Sequence, residues 1–277
     1  MKNLIKKSIL LTLILIILIM GISVLMSLKE TKYSEYKSGV INSSNAKTLQ
    51  IDNNRITNLS ERSGNNITAM TKVKNISKFN LSQIVLYYNE IDKNNNVISE
   101  AKVDVDITLS PDEVMQVQVT PKDYTYSIEI TGYTYIAEDC SVIVDLKDND
   151  TKVFENKKYL ENSKNYEVMS IGKVNEERTR SGESNLSIEI ENISDKNLGN
   201  IVLKVAEIDK NKEIVRIDHI IYNSILKPDQ KEEVVTSLYD SDYDVKILGY
   251  TYDDMENKSN VDIDLITHKV NIIDNGQ

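Results

Sequence analysis

The chain repeats itself at a fixed offset of 117 residues, and that duplication restricts it to two copies of one self-contained module. Asn75-Ile76-Ser77 returns as Asn192-Ile193-Ser194, Ile84-Val85-Leu86 as Ile201-Val202-Leu203, and Glu90-Ile91-Asp92-Lys93-Asn94 as Glu207-Ile208-Asp209-Lys210-Asn211. Leu109-Ser110-Pro111-Asp112 matches Leu226-Lys227-Pro228-Asp229, and Gly132-Tyr133-Thr134-Tyr135 matches Gly249-Tyr250-Thr251-Tyr252. Over residues 75–94, thirteen of twenty positions are identical to their counterparts. A unit copied whole must carry its own core. The copies also control for each other, because a feature present in only one does not belong to the shared scaffold.

Two units of about 100 residues, each large enough to fold alone, and a non-repeated N-terminus account for the 277 residues. The net charge of -10 argues against nucleic acid as a partner, since phosphate binding needs clustered Lys and Arg. Cys140 is the only cysteine, so neither an intrachain disulfide nor a cysteine-based zinc site is available. In ungapped register it faces Asn257.

Lys2, Lys6 and Lys7 precede an uncharged run over residues 8–28. A helix of that length reaches about 30 Å, the hydrocarbon thickness of a bilayer. Positive charge concentrated before the run places the N-terminus in the cytoplasm and residues 29–277 outside. The competing reading is a secretory signal cut after Ser23, with Gly21 and Ser23 as the small residues. Both readings export the repeats, and the first makes the membrane a partner through residues 8–28. Residues 29–47 read as a polar stalk.

Period-two alternation falls at equivalent positions in both copies, which predicts strands. Ile84, Leu86 and Tyr88 share a face, as do Ile201, Leu203 and Val205. Tyr126, Ile128 and Ile130 match Tyr243, Val245 and Ile247. Gly132 or Gly249 then interrupts and the aromatic residues change parity, which predicts a bulge. Glu90 and Glu207 continue an inward face, so a bulge before Ile91 and Ile208 is expected to turn both outward. Residues 92–96 and 209–213 read as hairpin turns, and Pro111-Asp112 and Pro228-Asp229 as another pair of turns. Leu49 and Ile51 align without gaps to Tyr166 and Val168, and Ser63-Gly64 nearly aligns with Ser181-Gly182, placing a first strand near 48–57 and 165–174. Short strands with no amphipathic helix specify an all-β chain of two antiparallel β-sandwiches. The expected boundaries are an anchor at 1–28, a stalk at 29–47, modules at 48–148 and 165–277, and a connector at 149–164. In that connector, Val153-Phe154 and Tyr159-Leu160 are candidates to dock on a neighbouring domain.

The order Asn-x-Ser, a Val-rich strand, Asp-Lys-Asn before the next strand, then Leu-x-Pro-Asp resembles the FxLYD-type immunoglobulin-like modules of bacterial surface proteins. The resemblance covers about residues 66–135 and 183–252. Here Tyr88-Asn89-Glu90-Ile91-Asp92 stands for the Phe-x-Leu-Tyr-Asp of those modules, and Asp112 or Asp229 replaces their turn glycine. What the resemblance implies is two tandem Ig-like domains that are exported and non-catalytic.

No nucleophile–base pairing, phosphate loop or metalloprotease helix occurs, so no catalytic residue and no cofactor is assigned. His219 aligns with Lys102 and His268 lies near the C-terminus, so neither belongs to the scaffold. Asp240, Asp242 and Asp244 offer clustered oxygens that suit calcium. An EF-hand would need glycine at Val245 and glutamate at Thr251, and a solvated acidic edge explains the run as well. Tyr124, Tyr133, Tyr135, Tyr250 and Tyr252 form a candidate contact patch. Their recurrence as Tyr133/Tyr250 and Tyr135/Tyr252 favours packing. The function expected is a non-catalytic, membrane-anchored extracellular binding or spacer protein of the bacterial envelope, meeting an unidentified envelope protein or glycan. The alternative is a glycan- or calcium-binding surface receptor.

Overall fold

The computed structural model describes residues 40–57, 59–62, 66–122, 124–156, 163–178, 184–238 and 242–274, all within one compact unit, Ser38–Gln277. The expected span at residues 8–28, Ser63-Gly64, Ser181-Gly182, Tyr159-Leu160 and Asp240 lie outside the described residues. Among the described residues no helix is long and apolar enough to cross a membrane.

The described chain is almost wholly antiparallel β. The first repeat contains β1 (Leu49–Ile51), β2 (Arg55–Ile56), β3 (Ser60–Arg62), β4 (Asn66–Asn75), β5 (Ser82–Ile91), β6 (Val97–Val105), β7 (Val114–Val119), β8 (Ser127–Ala137), β9 (Cys140–Asp145) and β10 (Asp150–Glu155). After a 3-10 turn at Ser163–Asn165, the second contains β11 (Met169–Arg178), β12 (Ser184–Asn192), β13 (Leu198–Ile208), β14 (Glu213–Tyr222), β15 (Lys231–Leu238), β16 (Asp244–Asp254), β17 (Ser259–Asp264) and β18 (Lys269–Asp274). In the second repeat the sheet β11-β12-β15 faces β14-β13-β16-β17-β18. Leu186, Ile188, Ile190 and Val234 from the first sheet interlock with Leu203, Val205, Tyr250 and Ile263 from the second in one core. The first repeat has the same two layers, β1-β4-β7 and β10-β9-β8-β5-β6. Burial of alternate apolar side chains from facing sheets is what makes each repeat a unit.

The repeated Asn-x-Ser is a buried pin. The Asn75 side chain donates to the Phe79 and Leu109 carbonyls at 2.7 and 2.8 Å, and its carbonyl accepts from the Ser77 N–H and hydroxyl at 2.9 and 2.7 Å. Asn192 repeats the arrangement on Lys196, Leu226 and Ser194. Asp92 and Asp209 close the hairpin turns by accepting backbone N–H groups two and four residues on. The expected bulges are present. Thr131 and Leu248 are the extra residues that keep Ile128 and Ile130, and then Tyr133 and Tyr135, on the inner face.

The second pair of turns places Asp112 at φ 63° and Asp229 at φ 59°, each closed by an N–H to carbonyl bond of 3.1 Å from the next residue. That position favours glycine, which carries no Cβ penalty there. Asp229→Gly is expected to raise the thermal midpoint. The net gain is about 0.5 kcal/mol after the greater freedom of glycine in the unfolded chain is subtracted. A lowered midpoint would contradict this account.

Four expectations are corrected. Glu90 and Glu207 face inward despite the bulges at Glu90/Ile91 and Glu207/Ile208. Burial is tolerated because Glu90 accepts from the Thr125 hydroxyl at 3.0 Å and Arg216 lies 2.7 Å from Glu207. Leu49 and Ile51 correspond to Met169 and Ile171 rather than to Tyr166 and Val168. Both pairs sit opposite equivalent residues, Asn75 and Val73 in one copy and Asn192 and Ile190 in the other. Cys140 corresponds to Ser259, not Asn257, because the turn before β17 is two residues longer than the turn before β9. Finally, β10 occupies much of the expected connector. Val153 is buried opposite Val142 and so packs within its own repeat.

Candidate functional site

The tyrosines separate cleanly. Tyr133, Tyr135, Tyr250 and Tyr252 are buried and stacked in pairs, with centroids 6.2 Å apart in each repeat. The Tyr133 hydroxyl accepts from the Thr48 and Leu49 N–H groups at 3.1 and 3.2 Å, and Tyr135 donates to the Ala46 carbonyl at 2.8 Å. Tyr252 likewise donates to the Tyr166 carbonyl at 3.1 Å. Burial pushes the phenols of Tyr135, Tyr250 and Tyr252 well above the ordinary range. Tyr133 ties β1 to its core, Tyr135 and Tyr252 hold the segments that lead into the first strands, and all four are too buried to form an exposed contact patch. Tyr124 is exposed. Of the acidic run, Asp242 is exposed and Asp244 pairs with Lys212 at 2.8 Å. Among the described residues no cluster of three or more His, Cys, Asp or Glu has metal-binding geometry. Cys140 is buried, and His268 lies 3.2 Å from Glu167.

Several charged residues that occur in only one copy gather where the repeats meet. There β7 adds in parallel to β14, with Val114 opposite Glu213 and Met115 opposite Ile214, so a sheet of the first repeat continues into one of the second. Glu213 takes Lys72 at 2.7 Å, and Glu113 takes Lys246 at 2.7 Å. Beside this splice Asp106, Ile107 and Thr108 line one groove with Lys204, Gly249 and Asp262. Asp106 lies 3.2 Å from both Lys204 and His219, Lys204 lies 3.3 Å from Asp262, and the Thr108 hydroxyl donates to Asp264.

The hydrogen bond to His219 holds the Asp106 carboxyl below the usual carboxylate range, against partial desolvation and with help from Lys204. Burial pushes the Asp262 carboxyl up, opposed by Lys204. Burial also works against the Lys204 ammonium, but Asp262 and Asp106 outweigh it and hold its pKa above the ordinary lysine value. These groups satisfy one another across the boundary, and the chemistry they form is that of a joint. Sequence reasoning treated His219 as incidental and missed Lys204, Asp106 and Asp262. The available signal was that Lys204 replaces Tyr87 and that Asp262 replaces Ile143, the latter visible only once the longer turn is allowed for.

No protein-family model matches the chain. No curated protein matches it either. Among solved structures, red sea bream transglutaminase is 11% identical, with a TM-score of 0.22 and 81% of this chain covered. An exo-chitosanase of Amycolatopsis orientalis is 10% identical, with a TM-score of 0.20 and 79% covered. The chain spans only 30% and 26% of those two proteins. A chaperone–tip adhesin complex of CFA/I fimbriae is 11% identical at a TM-score of 0.17, with 72% of this chain and 98% of that one covered.

Proposed function

We propose that this protein is a non-catalytic, membrane-anchored component of the bacterial envelope that displays two tandem Ig-like modules outside the cell as a binding or spacing element. The observation that carries this reading is the joint. The first module lends a strand to the sheet of the second, and ion pairs on both sides of the splice hold the two in one arrangement. A spacer needs modules that do not swing freely, and a sheet continued across a boundary resists bending more than a flexible linker does. Residues that the copies share have structural duties: Asn75 and Asn192 pin turns, Asp92 and Asp209 close hairpins, and Tyr135 and Tyr252 hold the segments that lead into the first strands. The resemblance to FxLYD-type modules supports the same class, and the apolar run at residues 8–28 supports the anchor.

The location is tested by adding protease to intact cells and following the C-terminal repeat by immunoblot. Loss of that repeat while a cytoplasmic marker survives is the expected result. A repeat that stays protected while a known surface protein is cut would remove the proposal.

A further inference from the structure

Each repeat carries the strand edges and loop that form both sides of the internal joint, because each is a copy of the other, although the side chains there differ. The first repeat uses its donor side, the loop after β6 and the start of β7. The second uses its acceptor side, the edge of β14 and the outer face around Gly249. Two sides remain over: the acceptor face of the first repeat and the donor loop of the second.

Strand register identifies the corresponding residues. Tyr87 lies opposite Gly132 as Lys204 lies opposite Gly249, and Ile143 lies opposite Thr134 as Asp262 lies opposite Thr251. Val97 begins β6 as Ile214 begins the ladder of β14, and Ile225 precedes Leu226 as Thr108 precedes Leu109. At the joint, Ile214 is 1% exposed and Thr108 4%. At the leftover sides Val97 is 51% exposed, Ile225 50%, Ile143 43% and Tyr87 40%. Those four positions carry large apolar or aromatic side chains, whereas Asn223 stands at the position of Asp106, Asp145 at that of Asp264, and Lys231 and Glu232 at those of Val114 and Met115.

We propose that a second copy of this chain seats the loop around Ile225 on the first repeat, over Gly132 and against Tyr87 and Ile143, so that the internal joint is repeated between chains. The groove is present: Tyr87, Ala101, Gly132 and Ile143 line one concavity, as Lys204, Gly249 and Asp262 line another with Asp106 and Thr108. Charge does not oppose the contact. The positions of the Lys246–Glu113 pair carry Glu129 and Gln230, and those of the Lys72–Glu213 pair carry Asn96 and Glu189. Each would set one carboxylate beside one amide, with no like charges facing. Apolar contact takes the place of the ion pairs, and the association is head-to-tail, open to further copies rather than closed on a twofold axis.

The test uses the full-length chain in detergent micelles, followed by sedimentation velocity over a concentration series. The wild type should associate beyond a dimer. Tyr87→Asp and Ile225→Asp should each weaken self-association at least about 30-fold, as expected for an anchor at the centre of an interface. An equimolar mixture of the two should form a dimer and stop there, because each retains the side the other has lost. Circular dichroism checks the fold, and Tyr87→Ser and Ile225→Ser replace the aspartates if either unfolds the chain. A wild type that remains monomeric up to about 1 mM would overturn the proposal. So would association that survives both substitutions, as contact through another surface would, or a mixture that fails to pair, as a symmetric dimer would.

Discussion

Asn192→Ala is expected to lower the stability of the second repeat by about 3 kcal/mol, because the change strips partners from several buried backbone groups at once. The side chain is fully buried and makes four hydrogen bonds, two donated and two accepted. Leu226 O keeps a bond from the Leu198 N–H at 3.1 Å, but Lys196 O and the Ser194 N–H lose the contacts that Asn192 provides. Each orphaned buried group costs about 1–3 kcal/mol, whereas the two Ser194 groups can partly rehydrate at the rim. The thermal midpoint should fall by roughly 10 °C for a folded region of this size. Asn192→Asp should be no better, since it turns an oxygen toward the two carbonyls that the amide now serves. A midpoint within about 2 °C of wild type for Asn192→Ala would show that the pin is dispensable. Asn75 holds the same place in the first repeat and should respond alike.

The sequence pattern revealed what repeats in place and hid what shifts. Asn75, Asp92, Gly132 and the tyrosines recur at one spacing with their counterparts, so their scaffold role is legible in the sequence. An ungapped alignment mispairs Leu49 and Cys140 because the copies differ in length in connecting segments, where the chain tolerates insertion at little cost. One such change precedes β4 and the other lies between β16 and β17. An ungapped comparison carries each error to the next landmark. Glu90 and Glu207 were placed outside because an unpaired buried carboxylate is costly, yet their partners, Thr125 and Arg216, come from neighbouring segments that alternation cannot locate. The joint was least legible of all. Lys204, Asp106 and Asp262 lie far apart in sequence, and each alone reads as an ordinary surface charge. Only strand pairing brings them together.

Gly249→Ala is expected to destabilise the second repeat by about 3 kcal/mol, the reverse of the usual gain from replacing glycine inside a strand. A Cβ at this position would lie 2.3 Å from Ile263 O, a backbone atom of the adjacent strand β17. No side-chain rotation relieves that overlap, so β16 and β17 must separate where Gly249 faces Asp264. The same ladder positions Tyr250 and Ile263 in the core and, one layer out, Asp262 and Asp264 at the joint, so the strain reaches both. Gly132→Ala meets Val144 O at 2.5 Å in the first repeat and should cost a similar amount. Gly172→Ala provides the contrast. Its nearest neighbours are the Glu189 Cβ at 3.1 Å and carbonyl oxygen at 3.3 Å, tight contacts that a shift of a few tenths of an ångström relieves, so its cost should be about 1 kcal/mol. Urea unfolding of the three variants measures the order directly. If Gly249→Ala proved as mild as Gly172→Ala, close approach of the two strands would not be what requires glycine in both copies.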